Sequence, residues 1–386
     1  MSTPGRASVG TVEDLHASAT KITGLDDFGT DDYREGLAVL LDSYAREARL
    51  TPWGNKVNRA FLRGALVARL LSEAAWKQHP GHADVRIERP IFVTGLPRTG
   101  TTALHRLLTA DPAHQGLEMW LTEMPQPRPP RETWADNPVF QKLEEGYRKH
   151  HVEHPEFMGL HYISADQVEE CWQLLRQSIM SISYECLASV PSYSSWLDGR
   201  DWTEAYHRHR RNLQLIGLPD ADRRWVLKNP SHLFALNALF DAYPDALVIQ
   251  THRAPRTALA SVCSLNEQAT AGWSETFRGE VVGRAQLDLW ARGLDRFRAD
   301  RAKHDAARFY DVHYDDFVAD PIGTVEAIYA YFGLPLTEDA RSAMRAMHEE
   351  SRSGGRRPAH RYELADFGLT GEEVDERFAD YLRAHW

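Results

Sequence analysis

The sequence predicts an α/β fold, a P-loop-like parallel sheet with helices on both faces and an extra helical N-terminal region before it. Three observations predict this. Short apolar runs at IFVTG, WVLK, ALVIQTH and ARFYDVHY read as buried strands. Helical patterns separate them, and strands alternating with helices join in parallel with both faces covered. The composition, 42% hydrophobic and 26% charged over 386 residues, is that of a globular chain long enough for one large domain and an annex.

Taken in order, residues 1–30 are polar and expected to fray. Residues 31–80 read as two helices; in the second, Val57, Phe61, Leu62, Ala65 and Leu66 recur at helical spacing. Residues 1–85 are therefore expected as a helical region packed on a main α/β domain of residues 86–386. Pro90 introduces the strand IFVTG, a glycine turn spans 95–100, and a helix runs from Thr101 to Thr109 before Asp111-Pro112 stops it. Residues 111–138, with PQPRPP, are expected to be irregular. Helices are expected over 141–150, 166–188 and 203–217. WVLK then reads as a strand, 231–242 as a helix, ALVIQTH as a strand and 255–267 as a helix. A helix near 283–302, the strand ARFYDVHY and a helix at 321–332 complete the alternation. Residues 349–362 read as a basic loop and 371–385 as a last helix.

The formal charge of −10 argues against general nucleic-acid binding, although it leaves room for a local anion site. Cys171, Cys186 and Cys263 form neither a metal-type pair nor a disulfide framework, so a reducing cytoplasm is the expected setting. The start, MSTPGRASVGTVEDL, has no apolar signal core. No stretch approaches the roughly 18 apolar residues of a membrane span. Residues 57–75 come nearest, but Arg59, Arg63, Arg69 and Glu73 interrupt them. Neither a membrane nor a nucleic acid is expected as partner; a homodimer stays open.

The sharpest signal is GLPRTGTT, residues 95–102, between a strand and a helix. Such a unit aims backbone N–H groups and the positive end of the helix at one point, which suits a phosphate. Pro97, Arg98, Thr99, Gly100, Thr101 and Thr102 are the candidate contacts. The glycines lie five apart, as in a nucleotide P-loop, but Thr101 holds the lysine position and the positive charge sits at Arg98. No acidic residue ends ALVIQTH where a triphosphatase would hold magnesium, so the loop reads as one for phosphate without a metal. A second anion site is expected in THRAPRTALAS. Arg253 follows a strand directly, and Ser261 lies two turns into the next helix. An arginine fork grips phosphate and a serine adds one hydrogen bond.

The pair PRTGTT and RAPRTALAS resembles the two signatures of sulfotransferases that use 3′-phosphoadenosine 5′-phosphosulfate (PAPS), in a bacterial branch where arginine replaces the loop lysine. The resemblance covers roughly residues 90–386, with WVLKNPSHL, YDDFVADP and HRYELADFGL as softer matches. It implies that the first loop holds the 5′-phosphosulfate and that Arg253 and Ser261, eight apart, hold the 3′-phosphate. The segment GGRRPAHR only approximates the family's glycine-rich basic segment; Arg361, with Arg356 and Arg357, is the candidate nucleotide contact there. The implied donor is PAPS, with 3′,5′-adenosine bisphosphate (PAP) as product and no metal.

Sulfuryl transfer needs a base for the acceptor proton, cations on the sulfate oxygens and a stabilised leaving phosphate. Arg98 is placed for the leaving group. Lys228, ending WVLK, fits the family's lysine. Pro230 stands where many members carry a histidine, and His232 is the nearest substitute, of a type suited to act near neutral pH. Glu118 and Glu123 are rival bases. Glu169-Glu170 and HRHRR at 207–211 read as solvated helix faces, and His150, His151 and His154 as surface. Trp120, Trp134, Phe157, Tyr162, Trp172, Tyr193 and Trp196 either line an acceptor pocket or belong to the core. The expected reaction moves a sulfuryl group to a hydroxyl, or an amine, of a small-molecule acceptor. The rivals are a P-loop kinase and a nucleotide-binding protein without chemistry.

Overall fold

The computed structural model describes residues 5–153, 163–353 and 362–386. Its sheet contains β1 (Ile91–Gly95), β2 (His114–Gln115), β3 (Arg224–Lys228), β4 (Leu247–His252) and β5 (Phe309–His313), in the order β2-β3-β1-β4-β5. All the pairings are parallel. The register sets Ile91 between Val226 and Leu247, and Gly95 beside Thr251. β1 and β4 are buried at every residue, and each opens on an unbroken apolar run, IFV and LVI. Alternate residues serve opposite faces. Ile91, Val93, Val226 and Ile249 pack with Leu104, Leu108, Val325 and Ile328. Phe92, Leu227 and Val248 join a larger core.

The helical N-terminal part comprises α1 (Val12–Thr23), α2 (Arg34–Arg46) and α3 (Pro52–Gln78). The expectation that residues 1–30 fray is corrected by α1. Thr11 accepts from the Asp14 N–H, Gly24 closes the helix with φ 72°, and Leu15 and Ala19 are buried. The arginines that interrupt the apolar pattern of α3 are structural. Arg59 pairs with Asp14 at 2.8 Å, and Arg69, fully buried, donates to the Gln177 carbonyl at 3.0 Å and pairs with Asp32 at 2.7 Å. Leu15, Leu66 and Leu227 belong to one continuous core, so these helices share their interior with the sheet.

Other differences have local causes. Residues 111–138 carry β2, a helix at Met119–Glu123 and a 3-10 turn at Arg131–Asp136. The helix expected over 166–188 is split into Trp172–Arg176 and Ser183–Leu187. Val168 forms an antiparallel bridge to Glu118, and Ile179 takes φ 55° with its carbonyl bonded by the Tyr193 hydroxyl. HRHRR is only partly a solvated face: Arg208 pairs with Glu73, and His209 bonds the Tyr243 hydroxyl in the core. The expected helix 231–242 begins as a 3-10 turn over Pro230–Phe234, and the last one breaks at Phe378. Helices at Tyr314–Ala319 and Glu338–Ser353 were not anticipated. Among the described residues, no helix is long and apolar enough to cross a membrane.

β1 lies between β3 and β4. From its carboxyl end the chain enters α4 (Thr101–Thr109) and leads to β2 and β3 on one side, while β4 flanks it on the other. A crevice at such a switch of direction is where open parallel sheets bind ligands.

Candidate active site

The turn after β1 is built by close approach. Gly95 has φ 140°, and a Cβ there would stand 2.5 Å from the Thr251 carbonyl. Gly100 has φ 89°, and a Cβ would stand 3.2 Å from Tyr314 Cδ2. Arg98 itself adopts φ 68°, a conformation that L residues rarely take and that sites tend to hold under strain. The buried Thr99 hydroxyl donates to the Leu96 carbonyl at 2.6 Å and meets the Thr251 hydroxyl at 2.5 Å, locking the turn to β4. Pro97, Arg98, Gly100, Thr101 and Thr102 are half-buried at the mouth, beneath the first-turn N–H groups of α4 that have no carbonyl partner within the helix.

The two segments that the sequence marks as candidate anion sites meet here. Arg98 Nε donates to Ser261 Oγ at 3.1 Å, and Arg253 Nη1 donates to the Arg98 carbonyl at 2.9 Å. The Arg253 guanidinium lies 4.0 Å from the Tyr314 ring centre, a cation–π contact that holds the fork over the loop. Burial pulls the Arg98 pKa down; Tyr362 and Tyr314 oppose this, and Arg253 reinforces it.

Lys228 ends β3 and is only 2% exposed. Its Nζ donates to Thr102 Oγ1 at 3.2 Å and pairs with Glu170 at 2.5 Å. Asn229 Nδ2 donates to the other Glu170 oxygen at 3.2 Å. Glu170 therefore stands beside the phosphate-loop helix, with its carboxylate held by two donors. This corrects its reading as a solvated residue on a helix. Its segment is irregular, and its neighbour Cys171 donates its N–H to the Lys228 carbonyl at 3.2 Å. A carboxylate next to Cys171, Leu174 and Leu175, residues of a type that is mostly buried, was the available signal, since an acid at such a place requires a cation.

The reading of His232 as a candidate base is corrected. It is fully buried, its ring edge-on to Phe92 of β1 and its Nδ1 2.6 Å from the Tyr206 hydroxyl. Burial, with neighbouring His209 adding to it, holds its pKa well below the ordinary value, so it stays neutral. A base must reach the proton it removes, and this ring is sealed in the core. Glu118 is committed to Arg128 at 3.1 Å, an arginine that also pairs with Asp220 at 2.7 Å. Burial raises the Glu118 pKa against the pull of Arg128. Burial also raises the pKa of Glu123, which accepts long hydrogen bonds from Tyr147 at 3.4 Å and Gln173 at 3.5 Å. Of the aromatic candidates, Trp120, Trp134 and Tyr193 are core, whereas Trp172 and Trp196 are half-buried. Phe157, Tyr162, His154, Arg356, Arg357 and Arg361 lie outside the described residues.

Known proteins carry the same fold and sequence pattern. A crystal structure of sulfotransferase STF1 from Mycobacterium tuberculosis H37Rv is 62% identical, covering 97% of this chain and 100% of that one, with a TM-score of 0.91. Sulfotransferase STF9 from Mycobacterium avium is 29% identical over 97% of this chain and 96% of its own, with a TM-score of 0.87. The omega-hydroxy-beta-dihydromenaquinone-9 sulfotransferase Stf3 of Mycobacterium bovis is 28% identical over 266 residues, 64% of this chain. That match spans 63% of the curated relative's length. A model of the sulfotransferase family matches residues 90–339, which take in the turn at 95–102, Glu170, Lys228, Arg253 and Ser261. The chain belongs to the sulfotransferase family.

Proposed function

We propose that this chain transfers a sulfuryl group from PAPS to a hydroxyl, or an amine, of a small-molecule acceptor. The observation that carries the reading is the meeting of Arg98, Ser261 and Arg253 at one loop, with Lys228, Thr102 and Glu170 beside it. A nucleotide bearing phosphate at both ends of its ribose matches two adjacent cationic sites. In this reading α4's first-turn N–H groups, Arg98 and Thr102 hold the 5′-phosphosulfate, and Arg253 and Ser261 hold the 3′-phosphate. Glu170 accepts the acceptor's proton as the acceptor-oxygen-to-sulfur bond forms and the bond from sulfur to the bridging phosphate oxygen breaks. The departing electron pair stays on that oxygen, where Arg98 and Lys228 offset the charge. Magnesium has no step in this scheme. Three free buried cysteines fit a reducing compartment, and the cytoplasm is the proposed setting.

Calorimetry with PAP and with ATP, each with and without magnesium, tests the reading. PAP is expected to bind tightly and without regard to chelator. Preference for ATP with magnesium would replace it with a kinase reading.

A further inference from the structure

The residue before Arg253 is the hub of a buried polar chain that ends on the last helix of the protein. His252 is fully buried at the end of β4. Its Nε2 lies 2.8 Å from Asp311, whose carboxylate is gripped by both ends of the Arg301 guanidinium at 2.7 Å each. Its Nδ1 lies 2.9 Å from the hydroxyl of Tyr381, on the helix Ala379–His385. The His385 ring stacks on it at 3.9 Å.

Chemistry fixes the direction of these bonds. Asp311, held ionised by Arg301 and His252, can only accept, so Nε2 carries the proton. Burial holds the His252 pKa below its ordinary value, against the pull of Asp311, and keeps the ring neutral, so Nδ1 is an acceptor and Tyr381 donates to it. Tyr381 thus holds the ring of the residue bonded directly to Arg253. The Arg253 side chain in turn reaches the Arg98 carbonyl.

We infer that Tyr381 is a positioning residue: by holding the His252 ring its hydroxyl sets the end of β4, and with it the backbone of Arg253, so that the guanidinium meets the nucleotide's 3′-phosphate. This rests on the proposed role of Arg253. Ion pairs independent of the hydroxyl hold this end of the chain, Arg298 with Asp380 on the helix itself and Arg377 with Asp295 at 3.0 Å just before it, so Tyr381→Phe leaves the helix docked.

The test is calorimetry of PAP and of adenosine 5′-phosphate with wild type, Tyr381→Phe and Arg253→Ala. Wild type prefers PAP. Arg253→Ala should lose about 10- to 150-fold of that preference, as for a charged hydrogen bond. Tyr381→Phe should lose about 2- to 12-fold, as for a neutral one, with adenosine 5′-phosphate binding unchanged. A merely structural role would weaken both ligands alike. Unaltered preference in Tyr381→Phe, with loss in Arg253→Ala, overturns the inference and leaves the reading of Arg253 intact. Unaltered preference in Arg253→Ala overturns that reading and the inference with it.

Discussion

Replacing Glu170 by glutamine separates chemistry from structure at this site. Glutamine keeps the length and volume but cannot take a proton at neutral pH. It also cannot satisfy both neighbours. Its amide oxygen can receive Lys228 Nζ, but its NH2 group then faces Asn229 Nδ2, also a donor. Asn229 cannot flip to help, because its Oδ1 already accepts the Ser231 N–H at 2.7 Å. Breaking a buried ion pair by removing one partner costs about 3–5 kcal/mol. Here the Glu170 side chain keeps 14% exposure and one donor stays satisfied, which puts the loss toward the lower end. Chemistry should fall further, by about 10²–10⁴-fold in single-turnover rate, the range of a lost general base. PAP affinity should stay within about twofold, because the loss falls on the transition state. The assay is rapid-quench turnover at saturating donor, run below the variant's melting point. The single-turnover rate should collapse in Glu170→Gln and hold in His232→Ala, whose defect should be in melting temperature alone. A Glu170→Gln variant with near-wild-type rate refutes the assignment.

Two further outcomes follow from the same geometry. Gly100→Ala should lose about 1–2 kcal/mol of stability through its left-handed backbone and should weaken PAP binding; wild-type melting and affinity together would contradict the close-packed loop. Burial lowers the pKa of His105 and of His209 from 6.5 to about 3, so each stays neutral in the fold while the unfolded chain protonates. Their contribution is complete above pH 6.5 and is lost as pH falls toward 3, at up to about 1.4 kcal/mol per pH unit for each. Denaturant midpoints that hold constant over that interval would show that these rings are not sealed.

The parts legible in the sequence are those where one local pattern serves one end. IFVTG, GLPRTGTT and the following helix signal strand, turn and helix within 19 residues, 91–109, and all three form. The nearness of Arg98, Arg253 and Ser261 follows from a parallel sheet, which brings the ends of β1 and β4 side by side. What stayed hidden depends on contacts distant in sequence. The periodicity of 166–188 is helical, yet Val168 is captured by Glu118, Ile179 is turned into a left-handed conformation, and the segment becomes the wall that presents Glu170. Glu170 and Lys228 are 58 residues apart and pair only because β3 delivers the lysine. His232 shows the converse. Its place in the sequence suits a base, but Tyr206, from the helix Thr203–Ile216, closes over it. In α1 the Thr11 and Gly24 caps were present to be read, but with two buried residues on its face the apolar signal was faint.

Following the sulfuryl group itself tests the central claim most directly. PAPS carrying radioactive sulfur in its phosphosulfate is incubated with a panel of small hydroxyl and amine compounds, and the products are resolved. Label should enter an acceptor in amounts equal to the PAP formed, with chelator present, and should cease to do so in Arg98→Ala. Label that never leaves the nucleotide across the panel, while the terminal phosphate of ATP is transferred when magnesium is supplied, would contradict the account.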